Sequence, residues 1–229
     1  MRAAAMFREV AVPAGVLFLH SMPGRRESIE DALQLLRDHR VDRIVCLNAL
    51  DEIRIKSPAY ADAIAANTLP CALDSFPIPN LGVPDDRDAF VRLTRRVADL
   101  LRSRERVLIH CGLGIGRTGM LACCALIELG VPETEARARV KAASAGPETR
   151  PQDELVSWYA AARQSQTPSR IVAFHQDAEG HWVAELSCGH QQHMRHDPPW
   201  QNRPWVITPE GRERFIGTEI PCVRCGAEN

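Results

Sequence analysis

Short apolar runs alternate along the first 160 or so residues with longer stretches in which apolar residues recur every three or four positions. Val16 to Leu19, Arg43 to Leu47, Cys71 to Phe76 and Arg106 to Ile109 carry the compact, β-branched pattern of buried strands. Between them the period changes. Ile29, Leu33 and Leu36 repeat at helical spacing up to His39, after a Ser28/Asp31 capping pair. Ser57-Pro58 opens a shorter helix toward Asn67, because proline suits the first helical position. Phe90, Leu93, Val97, Leu100 and Leu101 share one face of a long helix that Asp85 or Asp86 caps and that ends near Ser103. Met120 to Leu129 is apolar with no breaker before Gly130 and predicts a buried helix. Pro132 begins another, with Ala136, Val140 and Ala143 facing one way, and a last one runs through Trp158 to about Arg163. Pro77 to Pro84 holds three prolines in eight residues, which removes donors and fixes φ, so it is an ordered loop. Strands alternating with helices predict an α/β domain with a central, mainly parallel sheet flanked by helices, whose site lies off the carboxyl ends of the strands.

The pattern changes at Gln164 to Ser169, a polar stretch without apolar period that reads as a linker. This divides the chain into a domain at 1–163, a linker at 164–169 and a small β-rich module at 170–229. In the module, Ile171 to Phe174 and His181 to Leu186 flank a turn at Asp177 to Gly180 and read as a hairpin, and Thr208-Pro209-Glu210 starts one short helix closing at Gly217. The module holds three of the four tryptophans, five of the eight histidines and three of the eight cysteines. A segment of this size has little core and commonly needs a staple. Cys188 and His190 form a Cys-x-His pair, and Cys222 and Cys225 a Cys-x2-Cys pair, which is the donor set of a structural tetrahedral zinc; His193 or His196 could stand in for His190.

Composition excludes more than it selects. A net charge of −1, with six Arg against eight Asp and Glu in the module, leaves no electrostatic footprint for nucleic acid or acidic membranes. No apolar stretch reaches 18 residues, and the run from Val10 to Leu19 is broken by Pro13 and Gly15, so neither a membrane span nor a signal peptide is expected. Cys46, Cys71, Cys123 and Cys124 lie inside apolar runs, as packed small hydrophobes do.

The chemistry concentrates in His110-Cys111-Gly112-Leu113-Gly114-Ile115-Gly116-Arg117-Thr118-Gly119, between the Arg106 to Ile109 strand and the Met120 to Leu129 helix. Glycine at three of five loop positions lets the backbone N–H groups of Gly112, Leu113, Gly114, Ile115 and Gly116 turn inward. They form a nest for a tetrahedral oxyanion, reinforced by the positive end of the following helix. Inward amides, helix end and a neighbouring guanidinium all favour a cysteine there as thiolate. Arg117 supplies a planar fork for two phosphate oxygens, and Thr118 a hydroxyl that can donate to the sulfur.

These ten residues resemble the His-Cys-x5-Arg-Ser/Thr-Gly signature of the cysteine-dependent protein tyrosine and dual-specificity phosphatases, with every position filled. The resemblance covers roughly residues 10–163 and extends to a Ser-x-Pro-Gly loop at Ser21 to Gly24, the Pro77-Ile78-Pro79 loop and Pro151-Gln152. It implies hydrolysis of a phosphate monoester through a phosphocysteine on Cys111, with no cofactor for catalysis and Gln152 orienting the hydrolytic water. A phosphoprotein or a small phosphate monoester would be the substrate, phosphotyrosine or mixed phosphoproteins leading. A thiolate enzyme needs a reducing compartment, so a cytoplasmic location is expected. One position departs from the pattern. The family commonly places an acidic aspartate in the Pro-Ile loop where this chain has Asn80, which cannot donate a proton as an acid. Asp85 or Asp86, or less readily Asp74, would have to take over; alternatively the chain is a weakly active or phosphate-binding pseudophosphatase acting as an interaction protein. The module resembles a small bacterial domain family of unknown function, marked by Cys188-Gly189-His190, the Pro198 to Trp205 stretch and the terminal cysteine pair. That likeness implies no activity, and leaves a protein partner of the module open.

Overall fold

The computed structural model describes residues 7–164, 168–194 and 203–222. The chain forms two units, Met1–Ala160 and Ala161–Asn229. Five strands build the sheet of the first: β1 (Arg8–Val10), β2 (Val16–Ser21), β3 (Arg43–Cys46), β4 (Ala72–Ser75) and β5 (Arg106–Cys111), in the order β1-β2-β5-β3-β4. All pairs are parallel except β1 with β2. The mainly parallel α/β sheet read from the apolar runs is therefore present. The edge strand β1 was not legible, because three residues with two charges carry no apolar run.

Among the described residues, seven helices accompany this sheet: α1 (Ile29–Asp38), α2 (Leu50–Lys56), α3 (Pro58–Ala65), α4 (Arg87–Arg102), α5 (Gly116–Glu128), α6 (Glu133–Ala142) and α7 (Arg150–Gln164). Ser28 caps α1 by accepting from the Asp31 N–H, and Asp86 caps α4 by accepting from the Ala89 N–H at 2.9 Å. Helix α5 is buried at every one of its 13 residues, which is why its sequence is apolar all round rather than striped. It packs in one core with Leu17, Val45, Ile109, Phe90 and Val97. A second core on the other face of the sheet gathers Phe18, Ile44, Tyr60 and Leu108. Burying the central helix and the central strand β5 fixes both ends of the loop between them.

The thiols in the cores are spectators. Cys46, Cys123 and Cys124 are buried and Cys71 half-buried, all free. Burial pushes Cys46 and Cys123 up to about 12 and Cys71 up to about 11, so they stay protonated near neutrality.

The second unit is a four-stranded antiparallel sheet, β8-β7-β6-β9, of β6 (Pro168–Gln176), β7 (Trp182–Leu186), β8 (Gln191–His193) and β9 (Glu219–Pro221). The hairpin turn is held by Asp177, whose carbonyl accepts from the Gly180 N–H at 3.0 Å. Helix α8 (Pro209–Phe215) is capped by the Thr208 hydroxyl, which accepts from the Gly211 N–H. The core is small: Ile171, Ala184, Leu186, Met194, Val206 and Cys222, with Trp205 stacked on Phe215 at 3.8 Å. Helix α7 reaches Gln164 and β6 begins at Pro168, while residues 165–167 of the polar stretch expected as a linker lie outside the described ones. Among the described residues no helix is long and apolar enough to cross a membrane.

Candidate active site

Strand β5 ends at Cys111, which pairs in register with Ser21 of β2, and the signature loop turns directly into α5 at Gly116. The Gly114 N–H donates to Cys111 Sγ at 3.3 Å, so this loop amide points at the sulfur. Gly114 sits at φ +72°, and a Cβ there would collide with the His20 carbonyl, which excludes any other residue. The peptide is locked from the far side. Arg8 of β1 donates to the Gly114 carbonyl at 2.5 Å and to the Ser144 carbonyl at 2.7 Å, holding the loop carbonyl outward and the N–H groups inward. Nothing in the first ten residues marks Arg8 for this task.

Arg117 is 3 % exposed and bound on several sides. Its Nη1 donates to Glu52 Oε2 at 2.8 Å and to the Ile78 carbonyl at 2.9 Å; its Nη2 donates to Glu52 Oε1 at 3.0 Å and to Asn80 Oδ1 at 3.2 Å. The guanidinium also reaches the Cys111 side chain, so the fork faces the loop as well as Glu52. Burial opposes the Arg117 charge, but the Glu52 bond and the field of Cys111 outweigh it and raise the guanidinium above its ordinary value. Glu52 is half-desolvated yet held down to about 2 by its bonds to Arg117 and Lys56. Helix α2, which carries Glu52, was missed in the sequence because Leu50–Lys56 is too short and too charged to show a period. The signal available was an acidic pair, Asp51-Glu52, between Leu50 and Ile53.

Breaking this pair strands a buried cation. Glu52→Gln is expected to lower the stability of the first unit by about 3 kcal/mol, near the lower end for buried pairs because Glu52 keeps some exposure. Urea unfolding followed by far-UV circular dichroism would show it, and a change under 1 kcal/mol would contradict it.

The cleft of about 160 Å³ over the loop is lined by Cys111, Gly112, Leu113 and Arg117, by Asn80 and Leu81, by Arg25 and Lys56, and by Glu148 and Gln152. The structure thus brings Cys111, the loop glycines, Arg117 and Gln152 together. It does not bring Asp85 or Asp86 to the cleft: both are exposed, and the Asp86 carboxylate is spent on capping α4. Asp74 is engaged by Arg43 and Arg96. Thr118 is fully buried and its hydroxyl makes no hydrogen bond, so the sulfur contact expected of it is not formed here. Gln152 is fully buried, with Nε2 donating to the Gly82 carbonyl at 2.9 Å and Oε1 accepting from the Glu148 N–H at 3.0 Å.

Two buried histidines flank the cysteine. Burial lowers His20 from 6.5 to about 4 and His110 to about 3; His110 Nε2 lies 3.0 Å from the Tyr60 hydroxyl. Both are neutral at pH 7. Since their folded values lie below the unfolded one, their contribution is fully present above pH 6.5 and is lost as pH falls toward 4 and then 3. Between pH 6.5 and 5, above the carboxylate range, the first unit is expected to lose up to about 1.4 kcal/mol per pH unit for each histidine. Urea midpoints across that window measure it; a flat midpoint would mean that the imidazoles are hydrated.

In the second unit Cys188 Sγ lies 3.6 Å and Cys222 Sγ 3.5 Å from His190 Nδ1, and the three donor atoms lie within 4.8 Å of one another. These residues could hold a metal ion. A tetrahedral zinc with Zn–S near 2.3 Å and Zn–N near 2.05 Å separates a sulfur and a nitrogen ligand by about 3.5 Å. His193 points elsewhere, with Nε2 at 2.9 Å from Asp177 Oδ2, while Cys225 and His196 lie outside the described residues.

Comparisons agree with this anatomy. Residues 19–131 match the family described as "Polymorphic toxin system, DSP-PTPase phosphatase", and residues 172–229 match "Protein of unknown function (DUF3565)". Among solved structures, the first unit resembles a kinase associated phosphatase carrying a serine in place of its catalytic-site cysteine (TM-score 0.61, 17% identity, covering 71% of this chain and 96% of that one). It also resembles Tk-PTP in its active form (0.51, 23%, 70% and 98%) and a human tyrosine phosphatase-like serine/threonine/tyrosine-interacting protein (0.52, 20%, 68% and 96%). At such identities the structural likeness shows the fold. Taken with the family match over residues 19–131, it gives the first unit the fold of the dual-specificity and tyrosine phosphatases, followed by a domain of unknown function.

Proposed function

We propose that the first unit hydrolyses phosphate monoesters through a phosphocysteine on Cys111, with phosphotyrosine or mixed phosphoproteins as substrates. The observation that carries this reading is the Gly114 N–H on Cys111 Sγ in a cleft shared with Arg117. Cys111 attacks phosphorus, the amides of residues 112–116 and Arg117 hold the equatorial oxygens, and water then cleaves the thiophosphate. Glu52 orients the Arg117 fork, and Arg8 keeps the amides facing the cleft. Leu113 and Ile115 are the loop's variable side chains, and neither is the lysine that a highly phosphorylated inositide would favour. Phosphate release from a phosphopeptide panel, with Cys111→Ser as control, tests the reading. A second reading has one observation in its favour: Asn80 occupies the acid position and binds Arg117 instead. A chain that binds phosphate or vanadate without releasing product from any substrate would be a binding module.

In the second unit, one zinc held by Cys188, His190 and Cys222, with Cys225 as fourth ligand, would supply the cross-link that so small a core needs. The ion is structural. No protein partner of this unit is identified by its chemistry.

A further inference from the structure

A phosphocysteine has to be hydrolysed, and the water that attacks it must lose a proton. Asn80 cannot take it, and Glu52 is held on both oxygens by Arg117. Among the described residues lining the cleft, Glu148 is the only carboxylate. It precedes α7, and its Oε2 accepts from the Gly116 N–H, the last amide before Arg117 in the signature loop, at 2.8 Å. A carboxylate oxygen thus sits where an amide of the oxyanion nest points. Its backbone is fixed by Gln152, whose amide ties the Glu148 N–H to the Gly82 carbonyl of the loop that carries Asn80.

Resting on the phosphocysteine reading above, we propose that Glu148 is the general base of the second step and that Gln152 is its positioning residue. In the empty cleft the carboxylate stands in for a phosphoryl oxygen at Gly116. When the phosphoryl group arrives it claims that amide, and the displaced carboxylate is left beside phosphorus, where the water must approach. The water oxygen then bonds to phosphorus and the S–P bond breaks. Its electron pair returns to Cys111 as thiolate, held by the Gly114 N–H, and the water proton passes to Glu148, from which it leaves with product or to solvent. No comparable donor serves the first step, so good leaving groups are cleaved fastest.

The test is the pre-steady-state hydrolysis of p-nitrophenyl phosphate by the full chain. Glu148→Gln should release about one equivalent of p-nitrophenol in a burst, then turn over about 10²-fold more slowly than wild type, with phosphoenzyme trapped on quenching in alkaline detergent. Vanadate should bind it more tightly, since a competing negative charge is gone. A Glu148→Gln enzyme with no burst, a steady rate within threefold of wild type and unchanged vanadate affinity overturns the proposal. Should that variant fail to fold, Glu148→Asp, which keeps the carboxylate but shortens its reach, must show a burst with a smaller slowing, and its absence overturns the proposal equally. The two readings fail differently. Turnover surviving in Cys111→Ser defeats the phosphocysteine itself, whereas a wild-type phosphocysteine that Glu148→Gln hydrolyses at full speed defeats only the role of Glu148.

Discussion

Cys111→Ser is expected to abolish phosphate release, by on the order of 10⁴-fold or more, while leaving the fold and the affinity for vanadate nearly intact. The sulfur is the atom that forms the bond to phosphorus, and a serine hydroxyl there has no imidazole to activate it: His110 is turned to Tyr60 and neutral. The anion site is made of backbone amides and Arg117, none of which the substitution removes. Arg117→Lys should instead weaken both, because lysine keeps a charge but loses the two-pronged contact and strands Glu52, so binding and rate fall together. The measurement is a phosphate-release assay beside vanadate titration. Loss of vanadate binding in Cys111→Ser would show that the nest depends on the thiol, and turnover retained in it would end the phosphatase reading.

Removal of metal from the full chain is expected to unfold residues 168–222 and leave the first unit folded. Among the described residues the second unit has a core cluster of six buried residues, and its two terminal stretches meet where β9 pairs with β6, where Ile171 bonds Gly217 and Thr218, and where Cys222 approaches Cys188 and His190. Structural zinc in comparable small domains contributes about 10–16 kcal/mol of apparent binding free energy, larger than such a core supplies. Hydrogen exchange read by mass spectrometry, with and without chelator, distinguishes the units: amides of β6, β7 and β9 should lose protection while those of β5 and α5 keep theirs. Purified chain lacking zinc yet fully protected in β6 to β9 would remove the metal from the account. Cys222→Ser should reproduce the effect of the chelator. Without the ion, the buried Cys222 thiol is no substitute for a bond joining both ends of the sheet.

The elements read from the apolar pattern recur in the structure where one face or a whole segment is buried: β2, β3, β5, α1, α4 and α5 all lie close to their expected bounds. What was missed shares a cause. β1 and α2 are short and charged, and each is placed by what it touches rather than by its own period. Arg8 reaches a carbonyl 106 residues away, and Glu52 an arginine 65 residues away. Sequence pattern records burial, which is local and periodic, but leaves no mark of a polar contact between distant elements.

The proposed nucleophile, its arginine and the proposed phosphate nest were legible in the sequence alone, because Cys111 to Gly119 are contiguous and backbone geometry follows from the spacing of their glycines. The mainly parallel sheet was legible too, as was the approach of Cys188 and His190 to Cys222, while Cys225 lies outside the described residues. Which carboxylate serves the cleft was decided only in three dimensions. Asp85 and Asp86 look suitable in the chain, next to the Pro-Ile loop, but α4 needs a cap at that point and turns them to solvent. Glu148 lies 37 residues beyond Cys111 with no motif around it, and enters the site because the close packing of Gly119 against Gly146 brings the start of α7 over the signature loop. A side chain's distance to phosphorus depends on how helices α5, α6 and α7 pack, and that packing is set by the whole core.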